Sequence, residues 1–192
     1  VPGVDSSRSV VYSYVSYTRF QGHVLPQFNY VLWFANRTAN SFFDAYAGKF
    51  DSVLVRITLD KDGQPYIIDS IHSCGCYHMV FSLEENLQFA DDSQGIERPI
   101  MLQFADKIRP GLPVTVTLTD KQHMVKGLVW NEPQETGQEL QSLSLLPYRQ
   151  LRSLPFSVNS DGQGNQYKSL FDTQGMLMVS KRAERWFLWP FG

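Results

Sequence analysis

The sequence predicts a mainly β fold, an antiparallel sandwich or partly closed barrel with one or two short helices. Three observations predict it. Apolar and polar residues alternate at period two along short runs such as Val114 to Thr119 (VTVTLT). Asp62-Gly63 lies between two strand-like runs, the strongest short-range hairpin signal. Helical segments of about ten residues or more are scarce, which argues against an alternating α/β chain.

The elements follow in order. Val10 to Thr18 reads VVYSYVSYT, with Tyr12 and Tyr14 on one side and Val11, Ser13, Val15 and Tyr17 on the other. Asn29 to Ala35 (NYVLWFA) is a continuous apolar run, as in a buried strand. Ser41 to Ala47 predicts a short helix with Phe42, Phe43 and Tyr46 on one face. Ser52 to Leu59 and Pro65 to Ile71 are the arms of a hairpin around Asp60-Lys61-Asp62-Gly63-Gln64, and its second arm runs straight into His72. The acidic stretch Ser82 to Gly95 reads as a solvated loop. Strands resume at Pro99 to Ala105, Val114 to Thr119 and His123 to Trp130, the last two joined by Asp120-Lys121-Gln122. Pro147 suits the first turn of a short helix through Tyr148, Leu151 and Leu154, and Asn159 to Asn165 reads as a turn region.

With 192 residues the chain predicts a single β-rich domain, 1–192, large enough for a core without disulfide staples. Its net charge is −2 and no Lys/Arg run appears, so no nucleic-acid partner is expected, since phosphate neutralisation needs a concentrated basic face. No apolar run reaches the roughly eighteen residues of a membrane-spanning helix. The chain opens Val1-Pro2-Gly3 and closes on the apolar Trp186 to Gly192, which predicts a processed product truncated at its C-terminal end or packing that end.

Unusual chemistry concentrates in HSCGCYH, residues 72–78, which holds both cysteines and two of the four histidines. Thiolate and imidazole hold zinc or copper, and a thiolate beside an imidazole is also the unit of cysteine catalysis. The cysteines are not a scaffold disulfide, because a bridge across one glycine closes almost no chain. His72, Cys74, Cys76 and His78 are the expected metal ligands, zinc first and copper second. In a straight strand the two histidines would stand roughly 20 Å apart, whereas zinc ligands sit about 2.0–2.3 Å from the metal. Four-fold chelation therefore requires a bend at Gly75, where glycine accepts backbone angles other residues avoid. Otherwise two or three local ligands recruit His23, His123 or a carboxylate.

The alternative is a cysteine-dependent hydrolase or acyltransferase, with Cys74 or Cys76 as nucleophile and His123, His23 or His78 as base. A reversible disulfide around Gly75 is a third reading. A structural or binding module with simply buried cysteines is a fourth. Elsewhere, Asp60, Asp62 and Gly63 faintly resemble a calcium loop but lack its later acidic ligands, so a hairpin turn is the better reading. Asn36-Arg37-Thr38 is a glycosylation sequon, meaningful only in a eukaryotic secretory pathway. Lys181, Arg182 and Arg185 fit a solvated face better than an anion site. Tyr12, Tyr14, Tyr17, Tyr30 and Trp33 fit sheet packing as well as a ligand cleft.

Val15 to Arg19, Gln27 to Phe34, Asp69 to His78, Leu151 to Leu154, and Glu184 to Trp186 with Trp189-Pro190 together resemble an uncharacterised family of bacterial, mainly proteobacterial, proteins. The resemblance implies a bacterial origin, placement in the periplasm or cell envelope, and a chain continuing past Gly192. It implies no activity.

Overall fold

Period-two alternation becomes eleven strands among the described residues of a computed structural model, which are 3–39, 41–42, 44, 47–83, 87–89, 99–103, 112–130, 142–156, 166–175 and 177. In chain order they are β1 (Val10–Phe20), β2 (His23–Arg37), β3 (Gly48–Leu59), β4 (Pro65–His72), β5 (Met79–Ser82) and β6 (Ile100–Gln103). Then come β7 (Val114–Leu118), β8 (Val125–Trp130), β9 (Ser144–Pro147), a 3-10 helix (Tyr148–Arg152), β10 (Leu154–Phe156) and β11 (Gln166–Lys168).

One seven-stranded sheet in the order β6-β5-β4-β3-β2-β1-β9 organises the fold, with β7–β8 and β10–β11 as separate two-stranded pairs. From β1 to β5 each strand pairs antiparallel with the next in sequence. Both edges depart from the antiparallel expectation: β6 lies parallel to β5, and β9 parallel to β1. The result is a mixed, sandwich-like β structure rather than a closed barrel.

Alternation assigns the side chains of this sheet to two faces. On the front face lie Val55 and Ile57 of β3, Ile68, Ser70 and His72 of β4, and Met79 and Phe81 of β5, aligned by the pairings Val53↔His72, Val55↔Ser70 and Ile68↔Phe81. The β7–β8 hairpin lies against this face. Val125, Leu128 and Trp130 of β8 join Val55, Ile68, Met79 and Phe81 in one buried cluster. On the back face Tyr12 and Trp33 pack against Leu151, Leu170 and Phe171.

The β3–β4 hairpin forms as expected. Asp60 Oδ1 accepts the Asp62 and Gln64 N–H groups at 2.8 Å each, and Gly63 takes φ 80°. Asp60 thus serves the turn, in agreement with the hairpin reading of this loop. The next hairpin differs from expectation. β8 begins at Val125, because the turn runs on through His123 and Met124, closed by Thr119 N–H to the Met124 carbonyl (2.8 Å) and Met124 N–H to Thr119 Oγ1 (3.0 Å). Pro147 does precede a helical turn, but of 3-10 type, and itself closes strand β9. The helix expected over 41–47 falls partly outside the described residues; Ser41 and Phe42 lie in a turn, and Phe42 is 94% exposed. Most of the acidic stretch 82–95, the turn at 159–165 and the cations at 181–185 also lie outside the described residues.

Ile68, 1% exposed at the centre of the front cluster, sets the scale of this packing. Ile68→Ala is expected to lower unfolding stability by about 2–5 kcal/mol, whereas Tyr17→Ala, at a side chain 70% exposed, changes it by less than about 0.5 kcal/mol. Urea denaturation of both variants measures the contrast.

Candidate functional site

The bend that chelation requires is present. Gly75 takes φ 84°, its N–H donates to the His72 carbonyl (2.8 Å), and the His72 N–H donates to the Cys76 carbonyl (3.1 Å). Residues 72–76 thereby form one tight turn between β4 and β5, docked on β3 by Ser73 N–H to the Ser52 carbonyl (3.2 Å) and by contact of the two serine hydroxyls. Cys74 and Cys76 are not bridged by a disulfide and are half-buried on this turn, and Cys76 Sγ approaches the Cys74 carbonyl at 4.0 Å.

Beneath the turn stands Asp51, which has no exposed surface. It enters on β3, opposite Phe34 of β2 and diagonal to His72, whose own partner is Val53. His72 Nδ1 lies 3.3 Å from Asp51 Oδ1, and His123 Nδ1 lies 2.7 Å from Asp51 Oδ2. A carboxylate only accepts hydrogen bonds, so each Nδ1 carries a proton and donates it to Asp51. His123 arrives from the β7–β8 turn in a left-handed conformation (φ 55°) and stacks flat on Phe34, with ring centroids 3.7 Å apart. Its position in a turn rather than a strand is what lets it reach Asp51.

His72 is also fully buried, its ring edge against Tyr77 at 5.3 Å, and its Nε2 has no hydrogen-bond partner among the described residues. Tyr77, at φ 55°, is held by Arg37, whose Nη2 donates to the Tyr77 hydroxyl (2.9 Å) and whose guanidinium lies 4.9 Å from the ring centroid. Burial alone would ease the proton off Arg37, but the Tyr77 hydroxyl and the carboxylates of Asp44 and Asp51 outweigh it, holding the guanidinium above its ordinary pKa.

The other two histidines go elsewhere. His78 follows Tyr77 to the back face, where its Nε2 meets Asp69 Oδ2 at 3.1 Å. Arg56 grips the same carboxylate through Nε (2.8 Å) and Nη2 (2.6 Å). Burial pushes the Asp69 carboxyl up, but the hydrogen bonds from His78 and Arg56 more than offset this and hold it below the usual carboxylate range. His23 is exposed and opens β2 opposite Phe20, away from the turn. Of the residues singled out from the sequence, His72, Cys74, Cys76 and His123 are therefore brought to one end of the sheet, and His78 and His23 are not. Among the described residues no three His, Cys, Asp or Glu side chains are arranged to hold a metal ion.

Asp51 is not marked out by the sequence, and Arg37 and Tyr77 stand there only as parts of the sequon and of the HSCGCYH run. The available signal is Asp51 itself, a carboxylate at the same parity as the apolar Val53, Val55 and Ile57. No protein-family model, no curated protein and no solved structure matches this chain.

Two outcomes follow from the carboxylates. Asp51→Asn replaces one acceptor oxygen by a donor facing an imidazole N–H, and is expected to cost about 2 kcal/mol in urea unfolding at pH 7. Asp69 has its pKa lowered on folding, so its contribution is fully present above the unfolded-state value of about 3.9 and is lost as pH falls through the lower folded value. Asp69→Asn is expected to flatten that acid limb of the stability–pH curve below about pH 4.

Proposed function

We propose that this chain is a transition-metal-binding domain that takes zinc or copper at the Cys74-Gly75-Cys76 turn, with His72 Nε2 beside the two thiolates. One observation carries the reading: His72 is fixed through Nδ1 to a buried carboxylate while its buried Nε2 has no partner among the described residues. Metal-binding histidines characteristically donate their other ring N–H to a carboxylate, which fixes the tautomer and orients the ring. A buried imidazole nitrogen left without a partner is otherwise unfavourable. The two thiols lie in the same five-residue turn, closed by the His72 N–H and the Cys76 carbonyl. Soft thiolate donors favour zinc and copper(I) over hard cations.

In this reading the donor set would close as the metal displaces the two thiol protons to solvent, and the turn at Gly75 supplies the adjustment that brings the sulfurs in. Asp51 positions His72, and His78 stays outside the donor set with Asp69. Placement in a bacterial periplasm or envelope belongs to the same proposal and is supported by the sequence resemblance alone.

A second reading rests on a different distance. The 2.7 Å contact of His123 Nδ1 with Asp51, and the stacking of its ring on Phe34, reproduce a general base held by an orienting carboxylate. It favours a cysteine-dependent hydrolase or acyltransferase with Cys74 or Cys76 as nucleophile.

Metal analysis of protein purified without a histidine tag separates the two. The metal reading expects near-stoichiometric zinc or copper that is lost in Cys74→Ser, Cys76→Ser and His72→Ala and retained in His78→Gln. Folded protein that takes up neither ion overturns it. The nucleophile reading instead expects one cysteine to react with iodoacetamide much faster than the other near neutral pH, and to slow in His123→Ala.

A further inference from the structure

The loop between β4 and β5 is closed by backbone hydrogen bonds that leave both of its sulfurs to other chemistry. Gly75 N–H donates to the His72 carbonyl (2.8 Å), His72 N–H donates to the Cys76 carbonyl (3.1 Å), and Gly75 is left-handed at φ 84°. This is the pattern of a three-residue hairpin loop, a turn followed by a left-handed glycine. A left-handed residue holds the Cα atoms on either side of it about 5.5 Å apart, the mirror image of helical spacing. Disulfides join Cα atoms about 4.4–6.8 Å apart, so Cys74 and Cys76 stand within bridging range. Cys76 Sγ already leans toward Cys74, 4.0 Å from its carbonyl oxygen. Both cysteines are half-buried and Gly75 between them is exposed, with nothing within 4 Å of where a side chain on it would stand. The loop is therefore open to a small molecule.

We propose that Cys74-Gly75-Cys76 is a thiol–disulfide exchange site whose substrates are small disulfides carried in solution. One cysteine thiolate attacks a sulfur of the incoming disulfide, forming a mixed disulfide and expelling one small thiolate. The other cysteine thiolate then attacks the protein-side sulfur, the Cys74–Cys76 bond forms, and the second small thiolate leaves. The two cysteines are oxidised, the external disulfide is reduced to two thiols, and the protons lost by the cysteines are regained by the leaving groups. Because the backbone already holds the loop closed, the second step needs only side-chain rotation and runs as an intramolecular reaction. The new bond encloses almost no chain and adds little stability, so it behaves as a reducible exchange bond and not as a staple. The inference goes beyond the metal reading: it uses the same sulfurs but no metal.

Incubation of chelator-stripped protein with glutathione disulfide near neutral pH tests it, read by intact mass after alkylation of the remaining thiols. The wild-type chain is expected to lose two hydrogens and escape alkylation, with the glutathione adduct roughly tenfold less abundant than the ring. Cys74→Ser and Cys76→Ser, each left with one thiol, are expected to accumulate the glutathione adduct instead. A thermal melt checks the fold of both, and if one does not fold the other carries the comparison. Excess reduced glutathione is expected to return the wild-type ring to the dithiol. A wild-type chain that stays fully alkylated, or that accumulates the adduct as the single-cysteine variants do, overturns the proposal. So does a disulfide that links two chains, or a ring that resists excess reduced glutathione. Metal uptake is measured on separate reduced samples, so failure of either reading leaves the other standing.

Discussion

The Asp51 carboxylate is the constraint around which this molecule is arranged. A charge with no exposed surface is strongly unfavourable unless hydrogen-bond donors surround it. Two of those donors come from far apart in the chain: His72 from the end of β4 and His123 from the β7–β8 turn. Satisfying Asp51 therefore fixes three things together. It seats the β7–β8 hairpin over the sheet, orients both imidazoles through Nδ1, and positions the turn that carries the two thiols.

The pairing register explains why the four-residue motif does not act as one unit. Asp69 and His72 are three residues apart on β4, an odd offset, so they project from opposite faces of the sheet. Each face thus acquires its own carboxylate–imidazole contact, Asp51–His72 in front and Asp69–His78 behind. The tight turn at Gly75 brings the chain back, and the two histidines leave it on different sides. Bending was the requirement seen from strand geometry; the face each histidine takes is a separate matter, and it is decided by which carboxylate waits there.

Local signals made much of this legible. Alternation, the Asp-Gly turn and the continuous run around Val31 and Leu32 identify β1 to β4 from the sequence, and Gly75 was recognisable as the place for a bend. Elements specified by distant contacts were not legible. β9 has no strand pattern of its own and forms by pairing with β1. His123 reads as the start of a strand, because nothing local shows that Thr119 ties off the turn one residue later or that a buried carboxylate waits on β3. The site was half-legible for the same reason. Residues adjacent in sequence are legible there, while Asp51, Arg37 and Tyr77 gain their roles only when β2, β3 and the 72–78 segment meet.

The parallel edge at β9 bears on the order in which the chain can assemble. β1 through β5 each pair with the next strand in sequence, so each contact closes a small loop. β9 instead sets Ser144 beside Val10, a contact that spans most of the chain and needs the preceding sheet as its template. During synthesis the N-terminal strand therefore emerges long before its edge partner exists, and its outer row of backbone groups waits unpaired. The short four-residue β9, ending in a proline that cannot donate to a further strand, covers the Val10–Ser13 part of that row once it docks and limits continued growth of the sheet there.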